Sequence, residues 1–292
     1  MLSKGRVMEE NKPKFKSTID CFYNQTQLTG KHTSYFPIYD KLFHPFIQTS
    51  FIFVEVGVMH GGSLYMWRDF FGKSARIIGV DNNLSAKQFS NDFEIFIGDQ
   101  ADPEFWDNFY KTIGQIDVLL DDGGHRNSHQ IQTVVSGLPH IRSGGLIVVE
   151  DTHTSFMYEF GNPSKYSFMS FASKKAVNLT KRHKTINKPD QLVSRIHSIE
   201  FYDSIVAFFV NDENSRPGET VSNDGKRTSA KDFRNKDLSR IQLFIRAVRK
   251  GLSLKLRKLM KFRLIRNLFR ILVATVYWIE NYAMDRKFRK FF

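Results

Sequence analysis

Residues 116–154, IDVLLDDGGHRNSHQIQTVVSGLPHIRSGGLIVVEDTHT, contain two apolar runs of β type, and each ends abruptly in carboxylates. Asp121 and Asp122 close the first run (118–120), and Glu150 and Asp151 close the second (146–149). Between them residues 126–138 have room for one helix, with Gly144-Gly145 as the expected turn back into the second strand. A strand, helix, strand unit pairs in parallel with a right-handed crossover, so both strands end on the same edge of one sheet. That edge is where open α/β sheets bind ligands. Four acidic side chains therefore converge there with His125. Their mutual repulsion would raise their pKa values or open the edge unless a cation sat among them, so the stretch reads as a divalent-metal site with a histidine beside it.

The rest of the chain supplies strands of the same kind. Residues 51–56 form a β-branched and aromatic run, followed by the turn GVMHGGS (57–63) and a helical pattern through Leu64, Met66, Trp67 and Phe70. Strand, glycine turn and helix make the first unit of a nucleotide-binding sheet, since glycines let backbone N–H groups approach a ligand at a helix N-terminus. The next run, 75–80, ends in Asp81, an acid placed to accept hydrogen bonds from both hydroxyls of a ribose. The run 93–97 ends in Gly98-Asp99-Gln100, and 103–110 is helical. After residue 154 a loop and helix (157–178) precede two runs, 198–202 and 205–210, joined tightly enough to form a hairpin. The expected fold is α/β and Rossmann-like: a seven-stranded, mostly parallel sheet with an antiparallel terminal hairpin, plus a basic α-helical C-terminal tail.

Four segments follow: a polar leader (1–27), the sheet domain (28–210), a polar linker (211–230) and the tail (231–292). Residues 28–43, LTGKHTSYFPIYDKLF, read as a polar loop with Lys31, Ser34 and Tyr35 leading into a short aromatic amphipathic segment. The leader has charges throughout and no apolar core of a signal peptide, and no apolar run approaches the length of a spanning helix. One cysteine, Cys21, excludes an intramolecular disulfide framework and suits a reducing compartment. The expected location is cytoplasmic, with the chain peripheral at a membrane.

Charge is distributed unevenly. Residues 231–292 hold 18 Lys/Arg against 4 Asp/Glu, a net of +14, which leaves −1 for residues 1–230 out of a total of +13. A neutral domain with a cationic appendage points to an enzyme carrying a separate contact with a polyanion or a membrane surface. Within the tail Leu264, Ile265, Leu268, Ile271, Leu272, Val276 and Ile279 follow helical spacing on one face, with Arg263, Arg266 and Arg270 opposite. Tyr277 and Trp278 add the aromatic types found at headgroup level. A second stripe, Leu252, Leu256, Leu259 and Met260, is out of register with the first, which predicts a bend near Phe262. An anionic membrane surface is the expected partner of this helix; docking on the sheet domain or pairing into a homo-oligomer are the alternatives.

The blocks EVGVMHGGSLYMW, IIGVD, IGDQ, IDVLLDDGGH and GGLIVVEDTHTS, in this order, resemble the metal-dependent sugar O-methyltransferases of macrolide biosynthesis, within class I S-adenosylmethionine-dependent methyltransferases. The resemblance covers about residues 28–210. It implies that Glu55 and Gly57 lie against the methionine part of S-adenosylmethionine, that Asp81 holds its ribose, and that Asp99 and Gln100 lie near its adenine; Gly61-Gly62 is expected to be the cofactor turn. It further implies Asp122, Glu150 and Asp151 as Mg²⁺ ligands and His125 as general base. Asp121 is expected to be a cofactor or structural contact, with metal ligation as the alternative. His60 and His153 are expected to face solvent or to support the site. Two departures stand out: Gly124 occupies a position where a small hydroxyl residue is usual, and no counterpart of the substrate-covering N-terminal domain of the larger macrolide enzymes is expected.

The expected function is thus S-adenosylmethionine- and Mg²⁺-dependent methylation of a sugar hydroxyl in a glycan, glycolipid or glycosylated small molecule. A catechol or phenol acceptor is the alternative that the same metal chemistry would serve. A protein that binds membrane surfaces or nucleic acid, with an incidental methyltransferase fold, belongs to a different class. Nucleic acid is disfavoured because the domain is neutral and the tail shows no recognition fold. A two-histidine, one-carboxylate iron set is not evident in the sequence.

Overall fold

The computed structural model describes residues 16–183, 186, 190–226, 240, 243 and 261–291. The chain divides into two compact units, Met1–Thr220 and Val221–Phe292. In the first, seven strands form one sheet in the order β3-β2-β1-β4-β5-β7-β6. They are β1 (Ile52–Val56), β2 (Arg76–Asp81), β3 (Glu94–Ile97), β4 (Ile116–Asp121), β5 (Ile141–Val149), β6 (Ile196–Phe201) and β7 (Val206–Val210). β1 to β5 pair in parallel, while β7 runs antiparallel to both β5 and β6. This is the sheet expected from the sequence, hairpin included.

Alternation along the strands feeds two cores. On β4, Val118 and Leu120 enter one and Ile116 and Leu119 the other. The first core is aromatic and lies under α1 (Thr18–Tyr23), α2 (Tyr35–Phe43) and α3 (Gly62–Phe71), with Tyr39, Phe43, Phe53, Trp67 and Phe71 in mutual ring contact. The second lies under α4 (Pro103–Ile113), α5 (Asn127–Gly137) and α6 (Phe168–Thr180).

Three boundaries differ from the sequence reading. The polar leader does not extend to residue 27. Ser17 and Asp20 form a capping box that starts α1, Cys21 is buried, and the carbonyl oxygens of Gln27 and Leu28 press on Gly62, where a Cβ would meet each at 2.6 Å. Gly144-Gly145 is not a turn before β5 but part of the strand. A Cβ at Gly145 would meet the Asp117 carbonyl oxygen at 2.1 Å, and the β4–β5 register shifts between Ile116 and Val118, so the glycines carry a bulge. The linker does not begin at 211, because the Asn211 amide donates to the Arg195 carbonyl (3.0 Å), and Arg182 Nη1 to the carbonyl of buried Ser215 (2.7 Å).

In the second unit α7 (Arg263–Phe288) starts after Phe262, whose ψ of 121° is extended, at the position where the sequence predicts a bend. The stripe at 252–260 lies outside the described residues. On α7, Leu264, Leu268, Ile271, Trp278, Ile279 and Tyr282 are exposed along one face, whereas Val276 is half-buried and Val273 buried. The exposed stripe is therefore set by Trp278 and Tyr282 more than the sequence pattern suggests. No helix among the described residues is long and apolar enough to cross a membrane.

Candidate active site

The ends of β1, β2, β3 and β4 open onto a cleft of about 870 Å³ walled by Gly57, Gly62, Asp81, Asp99, Asp122 and His125, among others. Its floor is the β1–α3 turn. Gly57 has φ +93°, and a Cβ there would meet the Asp122 carbonyl oxygen at 2.1 Å, so the β1 and β4 loops approach as only glycine permits. Asp81 shapes the turn, with Oδ2 accepting from the amides of Val58 (2.8 Å) and Met59 (3.0 Å) and Oδ1 from that of Asn83 (2.8 Å). Its carboxylate still borders the cleft.

Other residues assigned to the cofactor by resemblance stand behind the wall. Glu55 is fully buried and accepts from Ser63 Oγ (2.8 Å) and Trp67 Nε1 (3.1 Å), so its carboxylate turns into the α3 interface. Gly61 sits under the Phe89 ring, and Gly62 takes its place on the cleft. Asp121 is buried and braces the β4 loop: Gln100 Nε2 donates to it at 3.0 Å and the Gly123 amide at 3.2 Å, while Gln100 Oε1 accepts from the Gly124 amide at 2.7 Å. Gln100 reaches the cleft, but both ends of its amide are committed to this brace; Asp99 faces the cleft, with Oδ1 accepting from the Ala101 amide.

Burial pushes Glu55 up to about 7, with Lys31 and the two hydrogen bonds opposing. A carboxyl whose folded pKa exceeds its unfolded value contributes stability in full below the unfolded pKa, and that contribution is lost as pH rises through the folded one. The window here is from about 4.5 to about 7. Glu55→Gln is expected to gain on the parent protein by about 3 kcal/mol between those limits. Denaturant unfolding of both proteins at pH 5 and pH 8 checks this; a pH-independent difference refutes it.

The metal-type residues meet at the mouth of the cleft. Oxygen or nitrogen atoms of Asp122, His125 and Asp151 lie within 4.8 Å of one another, and a smaller hollow beside them adds Lys31, Tyr35 and Glu150. His125 (φ +52°) and Asp151 (φ +53°) both adopt the left-handed backbone that side chains rarely take, and Thr154 Oγ1 ties them by donating to both carbonyls, at 2.8 and 2.7 Å. His125 Nε2 stands 3.4 Å from Asp151 Oδ2, and its Nδ1 is buried without a hydrogen-bond partner among the described residues. Glu150 lies deeper. Its carboxylate takes Tyr39 Oη at 2.7 Å and Lys31 Nζ at 3.0 Å, and burial, with Asp122 beside it, raises it well above the usual carboxylate range.

Sequence reasoning gave no role to Lys31, Tyr35 or Tyr39. Tyr35 and Tyr39 stand four apart on α2, on one face, and donate to the consecutive acids Asp151 (2.5 Å) and Glu150 (2.7 Å). That spacing was the available signal; a lone lysine in a polar loop offers none. The structure also draws His32 and His153 to Asp151, a two-histidine, one-carboxylate set the sequence does not suggest. Two of its atoms are engaged, Asp151 Oδ1 by Tyr35 and His153 Nδ1 by Ser204 Oγ, so the carboxylates remain the better donor set. His125 and His129 stand four residues apart without sharing a helical face, because His125 precedes α5. His129 explains the departure at Gly124, where a Cβ would meet His129 Nδ1 at 2.5 Å.

Residues 54–152 match a family model described as a methyltransferase domain. The chain is similar to mycinamicin VI 2''-O-methyltransferase of Micromonospora griseorubida, 35% identical over 134 residues, which are 43% of this chain and 33% of that protein. It is likewise similar to 8-demethyl-8-alpha-L-rhamnosyl tetracenomycin-C 2'-O-methyltransferase of Streptomyces olivaceus, 33% identical over 138 residues, 45% of this chain and 36% of that one. The matched region thus spans about a third of the length of these curated relatives. Among solved structures, the MycE methyltransferase of the mycinamycin pathway, in complex with Mg, SAH and mycinamycin VI, superposes with a TM-score of 0.63 at 23% identity. That match covers 71% of this chain and 56% of that one, and shows the shared fold.

Proposed function

We propose, for a chain whose residues 54–152 are a methyltransferase domain, that it transfers the methyl group of S-adenosylmethionine to a sugar hydroxyl in a Mg²⁺-dependent reaction. The observation that carries this reading is the meeting of Asp122, Asp151 and His125 at the mouth of the cleft, with Glu150 behind them. Oxygen donors without sulfur, on loops, suit Mg²⁺, so Asp122, Glu150 and Asp151 fit as the residues that would hold it. Bound there, the ion would lower the pKa of an acceptor hydroxyl, and the cofactor would supply an electrophilic methyl. His125 accepts the hydroxyl proton at Nε2, which stands 3.4 Å from Asp151 Oδ2. Gly57 and Gly62 let the backbone approach the cofactor, and Asp81 offers its carboxylate to a ribose. The sugar acceptor rests on the curated relatives, which are named for sugar positions. Transfer of labelled methyl to a panel of sugars, glycosides and catechols, with and without EDTA, tests it. Methylation confined to catechols would replace the sugar reading, and none anywhere would refute the enzyme.

The exposed stripe on α7 supports a second part of the proposal: the tail seats this enzyme on an anionic membrane surface. Leu264, Leu268, Ile271, Trp278 and Ile279 present apolar area to solvent, and the +14 of residues 231–292 opposes pairing with an equally charged second copy. The full-length chain is expected to float with phosphatidylserine vesicles and to release at high salt. A truncation after Thr220 is expected to stay behind; equal flotation of both, or oligomerisation without flotation, refutes the membrane assignment.

A further inference from the structure

Among the described residues Lys31 is the only Lys or Arg that reaches the buried carboxylates Glu55 and Glu150 and the part-exposed Asp122. Its side chain is 1% exposed, and its Nζ lies 2.5 Å from Asp122 Oδ2, 3.0 Å from Glu150 Oε2 and 3.9 Å from Glu55 Oε1. It reaches this place from a loop that precedes α2, and Tyr39, on α2, donates to the same Glu150 carboxylate. Two groups from the N-terminal segment therefore fix Glu150, while Lys31 bridges it to Asp122 across the β4–β5 edge.

We propose that Lys31 is a positioning residue, a cation built into the protein that bridges Asp122 and Glu150 and offsets their charge, so that the domain folds without a divalent ion and the ion serves chemistry alone. The proposal rests on the metal reading above. It follows from the asymmetry of buried ion pairs. Removing one partner leaves a buried charge uncompensated, whereas removing both is close to neutral. Without the ammonium, the carboxylates must find their cation in solution, and folding becomes linked to metal binding.

The test compares the full-length chain with Lys31→Met and the double variant Lys31→Met/Glu150→Gln at pH 8, by thermal unfolding in EDTA and in Mn²⁺, and by calorimetric titration with Mn²⁺. The parent is expected to differ by only a few degrees between EDTA and Mn²⁺. Lys31→Met is expected to melt on the order of 10 °C lower in EDTA, to recover most of that loss in Mn²⁺, and to bind Mn²⁺ roughly tenfold tighter or more, since a like charge has left the site. The double variant is expected to regain the parent's stability in EDTA, which keeps the test valid where the single variant does not fold. A Lys31→Met protein with unchanged stability in EDTA overturns the proposal. So does a loss that neither Mn²⁺ nor the second substitution restores. Absence of Mn²⁺ binding in the parent overturns the metal reading instead.

Discussion

His125→Gln is expected to cut turnover by roughly 10² to 10⁴, the range for loss of a general base, while S-adenosylmethionine binds with near-parental affinity. The separation follows from the placement of His125. It stands on the cleft wall beside Asp151, after β4, whereas the β1–α3 turn and Asp81 form the floor on other strands. Its left-handed backbone and the Thr154 hydrogen bond to its carbonyl hold the ring in place, and glutamine preserves the size of the side chain while removing its basicity. Single-turnover rates together with calorimetric cofactor titration check the result. If turnover stays near the parent value, the proton goes to another group. Asp121 is then a poor substitute, since it is buried and committed to Gln100 and Gly123, and His153 becomes the candidate.

Chelation is expected to abolish turnover and leave cofactor binding within a few-fold of its value with Mg²⁺. Gly57 and Asp99 follow β1 and β3 and Asp81 ends β2, while Asp122, Glu150 and Asp151 lie after β4 and β5, so the two sets can fail separately. Lys31 and Tyr39 keep Glu150 in place through protein contacts alone. Asp122→Asn is expected to lose most of the rate and with it the response to added Mg²⁺, because the amide offers the ion one neutral oxygen in place of a carboxylate. Calorimetry and initial rates in EDTA, followed by titration with Mg²⁺, measure both. Full turnover with the metal demonstrably removed ends the metal role, and loss of cofactor binding in EDTA shows that the two sites are coupled.

The strands, their parallel pairing with a terminal hairpin and the edge that carries the site are written in the sequence, because they depend on local pattern; the order of the strands comes from the structure. Apolar runs of five or six residues ending in acids or glycine fix strand ends, and helical spacing between them fixes the crossovers. Asp122, His125, Glu150 and Asp151 are legible for that reason: each lies in the loop just after a strand, and parallel pairing brings the strand ends together. What the sequence leaves open is the direction of a side chain at a given position and the arrival of segments distant in the chain. Glu55 and Asp121 read as site residues by position, but each turns inward, one to Trp67 and Ser63 and the other to Gln100. Lys31 is separated from Asp122 by 91 residues and from Glu150 by 119, and no local pattern records such a meeting. It arises because α2 packs its aromatic face on the sheet and carries the preceding loop over the edge. Tertiary packing therefore decides which carboxylates are paired by the protein and which face the cleft, since burial and charge neutralisation are properties of the assembled core.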